Sequence, residues 1–176
     1  MQRALEMIES GRATQQDALE VFDALPAVEL DFMWGQWKGS GVNTDHPMDG
    51  LLENYRWYGK EFIDEDHVHP LLFQTGGGRL FKVNPALMPM GLALTQQWLK
   101  KPFMRFLFQT FRFLISTKKT TARLRITRLR GKDSATMCYD ALAIHDVFRK
   151  VDNDTVLGYM DFKGMDLPFF FALRRV

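Results

Sequence analysis

The sequence predicts a mainly β fold: an antiparallel up-and-down barrel with an N-terminal helix and a helical insertion at about residues 85–116. Three observations carry this expectation. The last third of the chain divides into short strand-like runs over 120–130, 134–142, 144–151, 154–162 and 168–175. The turn clusters Gly131-Lys132-Asp133, Asp152-Asn153-Asp154 and Lys163-Gly164-Met165-Asp166 separate them. Short strands at even spacing form the local pattern of a meander that closes on itself. Near residue 31 the apolar period changes from helical to alternating, and Gly35-Gln36-Trp37-Lys38-Gly39 marks the first strand. Between these two β regions lies a Leu-, Met- and Phe-rich stretch interrupted only by Pro89 and Pro102.

Taken in order, residues 2–9 read as a short helix closed by Gly11. Thr14 suits an N-cap, with Asp17 three residues on, and Ala18, Leu19, Phe22 and Leu25 follow at helical spacing before Pro26. This second helix is expected to lie across a barrel end or mouth. Residues 32–39 are expected as strand and 41–47 as a turn-rich loop. Residues 51–63 alternate loosely, with Tyr55, Trp57, Gly59 and Ile63 on one side. Residues 67–74 form a further strand in which Pro70 requires an edge or a bulge. Gly76-Gly77-Gly78 is a loop, and Leu80–Val83 a brief strand. Within 103–116 the polar positions Arg105, Gln109, Arg112 and Ser116 fall on one narrow helical stripe, and the rest of that surface is apolar. A helix of this kind is buried on most sides, lids a cavity, or meets a partner or membrane surface.

Composition bounds the function. A length of 176 residues fits one domain spanning 1–176, and an apolar share of 46% supplies a core without staples. The net charge of +2 gives no strong field toward nucleic acid, although basic residues gather between Lys118 and Lys132. Arg123 and Arg125 share one strand face and Arg128 and Arg130 the other, with no interleaved aromatics, so a solvated strand is expected. The single cysteine, Cys138, excludes an internal disulfide and suits a reducing, cytoplasmic location. The first residues lack the apolar run of a signal peptide. No uncharged run reaches the roughly 18 apolar residues of a spanning helix.

The motif and the C-terminal pattern together carry a family resemblance. Gly35-x-Trp37-x-Gly39 precedes Tyr139-Asp140, Asp146-x-Phe148-Arg149, Leu157-Gly158-x-Met160-Asp161 and Pro168-Phe169-Phe170-Phe171-x-Leu173-Arg174. This resembles the GXWXG protein family with its paired C-terminal domain of unknown function, over roughly 20–80 and 120–175. The Gly-x-Trp also resembles the opening of calycin, or lipocalin-like, barrels. That resemblance implies that Trp37 packs across one barrel end under a basic side chain from the last strand, here Arg174 or Arg175. Gly35-x-Trp37-x-Gly39-x-Gly41 is similar, too, to the start of nitrobindin-like haem barrels, which makes haem an alternative to a cofactor-free protein, with His145 as the axial candidate.

Several further readings follow from residue chemistry. His67 and His69 share a strand face, but His46 or Asp66 could supply the third metal ligand only by folding back, so no metal is assigned. Gly76-Gly77-Gly78-Arg79 leads into a strand, which excludes a phosphate loop. Serines without a strand–helix elbow give no triad. The candidate ligand-contacting residues are Tyr55, Trp57, Tyr139, Asp140, His145, Phe148, Arg149 and Tyr159. Arg149 is placed either in a surface pair with Asp146 or Asp140, or inward, gripping a carboxylate. The leading expectation is a cavity binding an apolar or amphipathic small molecule, such as a fatty acid. The alternative is an enzyme acting on an apolar substrate through Tyr139, Asp140, His145 and Arg149. Weak membrane-surface contact and a homodimer are the further partners considered, and nucleic acid is not expected.

Overall fold

The computed structural model describes residues 1–88 and 97–176. The part of the expected insertion that falls on 89–96 lies outside the described residues.

Eight antiparallel strands close into a barrel. They are β1 (Gly35–Gly41), β2 (Trp57–Phe62), β3 (Val68–Gln74), β5 (Ala122–Leu129), β6 (Lys132–Tyr139), β7 (Ile144–Lys150), β8 (Thr155–Phe162) and β9 (Phe169–Arg175). Each pairs with its neighbour in the order β1-β2-β3-β5-β6-β7-β8-β9, and β9 returns to β1. The short β4 (Leu80–Lys82) hangs on the far side of β3. The closing seam is β3 to β5, where Val68 faces Ala122 and the Thr121 amide donates to the Val68 carbonyl. Closure removes the exposed edges that an open sheet of this length would leave.

Alternation places one set of side chains inside. Leu124, Met137, Phe148, Val156, Phe169 and Leu173 are fully or almost fully buried in the barrel core. The opposite faces of β7, β8 and β9 are also covered. Helices α1 (Gln2–Ser10) and α2 (Gln15–Ala24) lie on them, burying Met7, Val21 and Phe22 against Val147, Leu157 and Phe170. Thr14 caps α2 as expected, its hydroxyl accepting from the Asp17 amide at 3.0 Å. The expected position is corrected: α2 packs on the barrel wall, not across an end, because its apolar stripe matches the outward apolar residues of β8 and β9.

One end of the barrel is sealed by the motif tryptophan. Trp37 is wholly buried, and its indole N–H donates to the Met33 carbonyl at 2.7 Å. The Arg175 guanidinium lies 4.3 Å above the ring centre and donates to the carbonyls of Phe32 and Trp34. Arg174, next in the strand, points to solvent. The partner of Trp37 is therefore Arg175.

The opposite end carries the insertion. Residues 51–54 form a short helix, α3 (Leu51–Asn54), where a strand was expected. Gly50 enters it at φ 73°, and β2 begins only at Trp57. Beyond β4 the chain passes through 3₁₀ turns at Pro85–Leu87 and Gln97–Lys100, then α4 (Pro102–Thr110) and α5 (Arg112–Ile115). It returns beside its point of departure, with Val83 bridged to Ser116 and the Thr117 amide donating to the Lys82 carbonyl. The single helix expected over 103–116 is broken at Phe111. Arg105, Gln109 and Arg112 nonetheless line one cleft across the break, and the Ser116 hydroxyl donates to the Arg112 carbonyl.

Candidate functional site

An apolar cavity of about 290 Å³ lies between α3, β3 and α4, at the barrel end opposite Trp37. Leu51 and Leu52 form one wall, Leu71 and Phe73 the floor, and Met104 and Phe108 the roof. The roof forms because α4 turns Met104 and Phe108 inward, one helical turn apart. Phe108 meets Tyr55 and Phe73 edge to face, with centroids 4.9 and 5.0 Å apart. The Tyr55 hydroxyl donates to the Leu99 carbonyl at 2.7 Å, so its polar end is satisfied and its ring completes the lining. Burial raises the pKa of Tyr55 above its ordinary value, keeping the phenol neutral. Leu87, Phe111 and Leu114 line the cavity while remaining about half exposed or more, which makes them its rim.

A polar centre is buried deeper in the barrel. The Lys60 ammonium sits 2.8 Å from the Asp146 carboxylate, with both side chains almost wholly excluded from water. Lys60 also donates to the Pro70 carbonyl at 3.2 Å. The rings of Phe171, Trp57 and Tyr139 surround its nitrogen, with centroids at 5.1, 5.6 and 5.7 Å. Burial raises the Asp146 pKa, and the adjacent Lys60 charge opposes that rise. Burial and the neighbouring Asp146 charge push Tyr139 well above its ordinary value. One Asp146 oxygen, Oδ1, and the Trp57 indole N–H have no hydrogen-bond partner among the described residues. The second motif glycine serves this centre, because a Cβ at Gly39 would run into the Trp57 indole.

The expected site residues are dispersed. Tyr55 lines the cavity, and Trp57, Tyr139 and Phe148 occupy the barrel interior. The other four are on the outside. Asp140 is exposed and pairs with Arg123 at 2.9 Å, and His145 is exposed beside it. Arg149 is buried, but under α2, where its guanidinium lies 4.7 Å over the Phe22 ring and donates to the Leu129 carbonyl. Tyr159 packs against Phe22 and Phe170 on the same outer face. Tyr139, Asp140, His145 and Arg149 thus form no common cluster. Asp146 pairs with Lys60, which sequence reasoning passed over, rather than with Arg149.

The four histidines lie in separate surroundings in the fold. His145 faces away from the barrel interior. His46 is buried against Phe169, and its Nδ1 accepts from the Met48 amide. His69 is buried between Glu61 and Lys82, while exposed His67 pairs with Asp64. No group of three metal-ligating side chains occurs among the described residues. No helix among them is long and apolar enough to cross a membrane.

These features define a small closed antiparallel β-barrel with an apolar cavity at one end and a buried ion pair beneath it, an architecture that fits the calycin-like resemblance. Residues 20–78 match the GXWXG protein family, and residues 120–175 match a domain of unknown function, DUF4334. The chain belongs to this family, and both matched segments contribute strands to the same barrel. A crystal structure of a protein from Thermomonospora curvata is similar over 99% of this chain and 97% of that one, at 34% identity and a TM-score of 0.75. No curated protein matches the chain.

Proposed function

We propose that the protein binds an apolar or amphipathic small molecule, a fatty acid or related lipid, in the cavity between α3, β3 and α4. The observation that carries this reading is the cavity lining, which is built from aliphatic and aromatic side chains around about 290 Å³. That is close to the lower bound, about 300 Å³, of pockets that enclose small ligands. Such walls reward a methylene chain by removing it from water and offer little to a polar solute. The half-exposed rim of Leu87, Phe111 and Leu114 gives an acyl chain a route inward while its polar head stays near solvent. A calycin-like binding role in the cytoplasm is consistent with a lone, half-buried Cys138. The Lys60–Asp146 pair favours a second reading, an enzyme, but neither residue lines the cavity, so binding takes precedence.

Native mass spectrometry of the purified protein, followed by organic extraction, tests the proposal. The expected result is a mass adduct that disappears on denaturation and is recovered as a lipid. Protein found only at its sequence mass, and unable to take up added fatty acid, would sink the reading.

A further inference from the structure

The outward face of the insertion is apolar and basic at once. Phe103, Phe106, Phe113 and Leu114 are each more than 60% exposed, an unusual display of large side chains for a soluble surface. They lie on α4 and α5, whose inward residues Met104 and Phe108 are committed to the cavity. The charge along the surrounding stretch of sequence has one sign. From His67 to Lys132 the sequence contains no Asp or Glu and thirteen Lys or Arg. Among the described residues, Lys100, Lys101, Arg105, Arg112, Lys118 and Lys119 make no ion pair. A stretch that balanced its own charges for solubility would carry acids among these bases.

Beside the aromatic face is a cleft of about 310 Å³ where three arginines converge: Arg56, Arg105 and Arg112. Gln109, Gly76 and exposed Phe106 are among its other walls, and no carboxylate among the described residues lines it. Arg112 is steadied by its bond to the Gln109 carbonyl, and Arg56 by one to the Thr75 carbonyl. Guanidinium groups arranged without a protein anion suit a phosphate oxygen cluster.

We propose that the α4–α5 face docks on an anionic phospholipid membrane, with Phe103, Phe106 and Phe113 entering the interface and the arginine cleft receiving a lipid phosphate. The combination of aromatic insertion and basic attraction is what interfacial binding requires. The occupant is argued from charge: an apolar patch meant for a second copy of this chain would meet the same basic field and repel it. Docking would bring the cavity rim at Phe111 and Leu114 to the lipid surface, but the proposal stands whether or not the cavity holds a ligand.

The test is flotation of the full chain with vesicles of phosphatidylcholine alone and of phosphatidylcholine mixed with phosphatidylglycerol, at low and high salt. The expected result is flotation with the anionic vesicles, weakened by salt. Arg105→Gln with Arg112→Gln lowers the partition coefficient roughly fivefold per charge, about thirtyfold together. Phe103→Ser with Phe106→Ser lowers it as well. All four residues are exposed or half-exposed, so unchanged thermal melts verify that the variants fold. Equal partition onto neutral and anionic vesicles, or onto neither, overturns the proposal. So does a dimer in sedimentation velocity that Phe103→Ser with Phe106→Ser abolishes without vesicle binding. Saturable binding of inorganic phosphate with no flotation also overturns it, because the cleft then serves a soluble anion.

Discussion

Replacing Lys60 with methionine removes the one cation found in the barrel interior among the described residues and leaves Asp146 there without its partner. The two charged groups are 2.8 Å apart and 3% and 1% exposed, so neither recovers water when the other is lost. Breaking a buried pair from one side costs about 3–5 kcal/mol. For a chain of this size each kcal/mol lowers the melting temperature by about 2–4 °C, which gives a loss of about 6–20 °C. The sign of the pH dependence follows from Asp146. Burial already holds its pKa above the ordinary 3.8, and Lys60 is the largest influence lowering it. In Lys60→Met the folded-state pKa rises further, so the folded protein keeps a proton that the unfolded chain releases. Stability of the variant then falls as pH rises from about 3.9 through the folded pKa, so the deficit is smallest in acid and grows as pH rises through that pKa. Adding Asp146→Leu removes the stranded charge and restores stability to within about 2 kcal/mol of the wild type. Urea denaturation across pH measures all three proteins. A Lys60→Met deficit below about 1 kcal/mol, or one independent of pH, would refute the reasoning.

Two further contrasts separate structural from functional positions. Arg175→Ala loses the cover over Trp37 and two charge-assisted bonds to carbonyls, and is expected to cost about 2–3 kcal/mol in urea denaturation. Arg174→Ala, exposed on the same strand, stays within about 0.5 kcal/mol. Arg149→Ala opens a hole under α2 and costs about 2–4 kcal/mol, yet leaves fatty-acid affinity unchanged because it lies outside the barrel. His145→Ala changes neither stability nor binding, as calorimetry alongside denaturation will show.

Much of the strand plan was legible because turns and alternation are local properties. Thr14 and Asp17 announced α2, and the five C-terminal runs correspond to β5–β9. The interior of the barrel was harder to read, for two physical reasons. In β7 both faces carry buried side chains: Ile144, Asp146 and Phe148 inside the barrel, Val147 and Arg149 on the outer face under the helices, where His145 is exposed. Alternation therefore paired Asp146 with its face-mates correctly but did not say which face was inward. In β2 the register shifts around Gly59. Gly59 takes φ 149°, and a Cβ there would strike the Trp37 carbonyl. This bulge reverses the phase of the strand, so Trp57 and Lys60 both face inward although simple alternation sets them apart. Pro70 on the opposite strand was the one visible sign of that irregularity. An apolar cavity was expected, but most of its lining was hard to read for another reason. It is assembled from α3, β3 and α4, which are separate in sequence, and α3 itself was concealed in a loosely alternating stretch that reads equally well as strand.

The central claim, an apolar chain held in the cavity, is tested most directly by the affinity of a fatty-acid series of increasing length, measured by calorimetry. Each methylene buried contributes ~0.8 kcal/mol, about fourfold in affinity. The account predicts that affinity climbs by about this factor per carbon until the cavity is filled and then levels off. Met104→Trp with Leu107→Trp, which fills the space under α4, should move the plateau to shorter chains. Affinity independent of chain length, or an unchanged plateau in the filled variant, would contradict it.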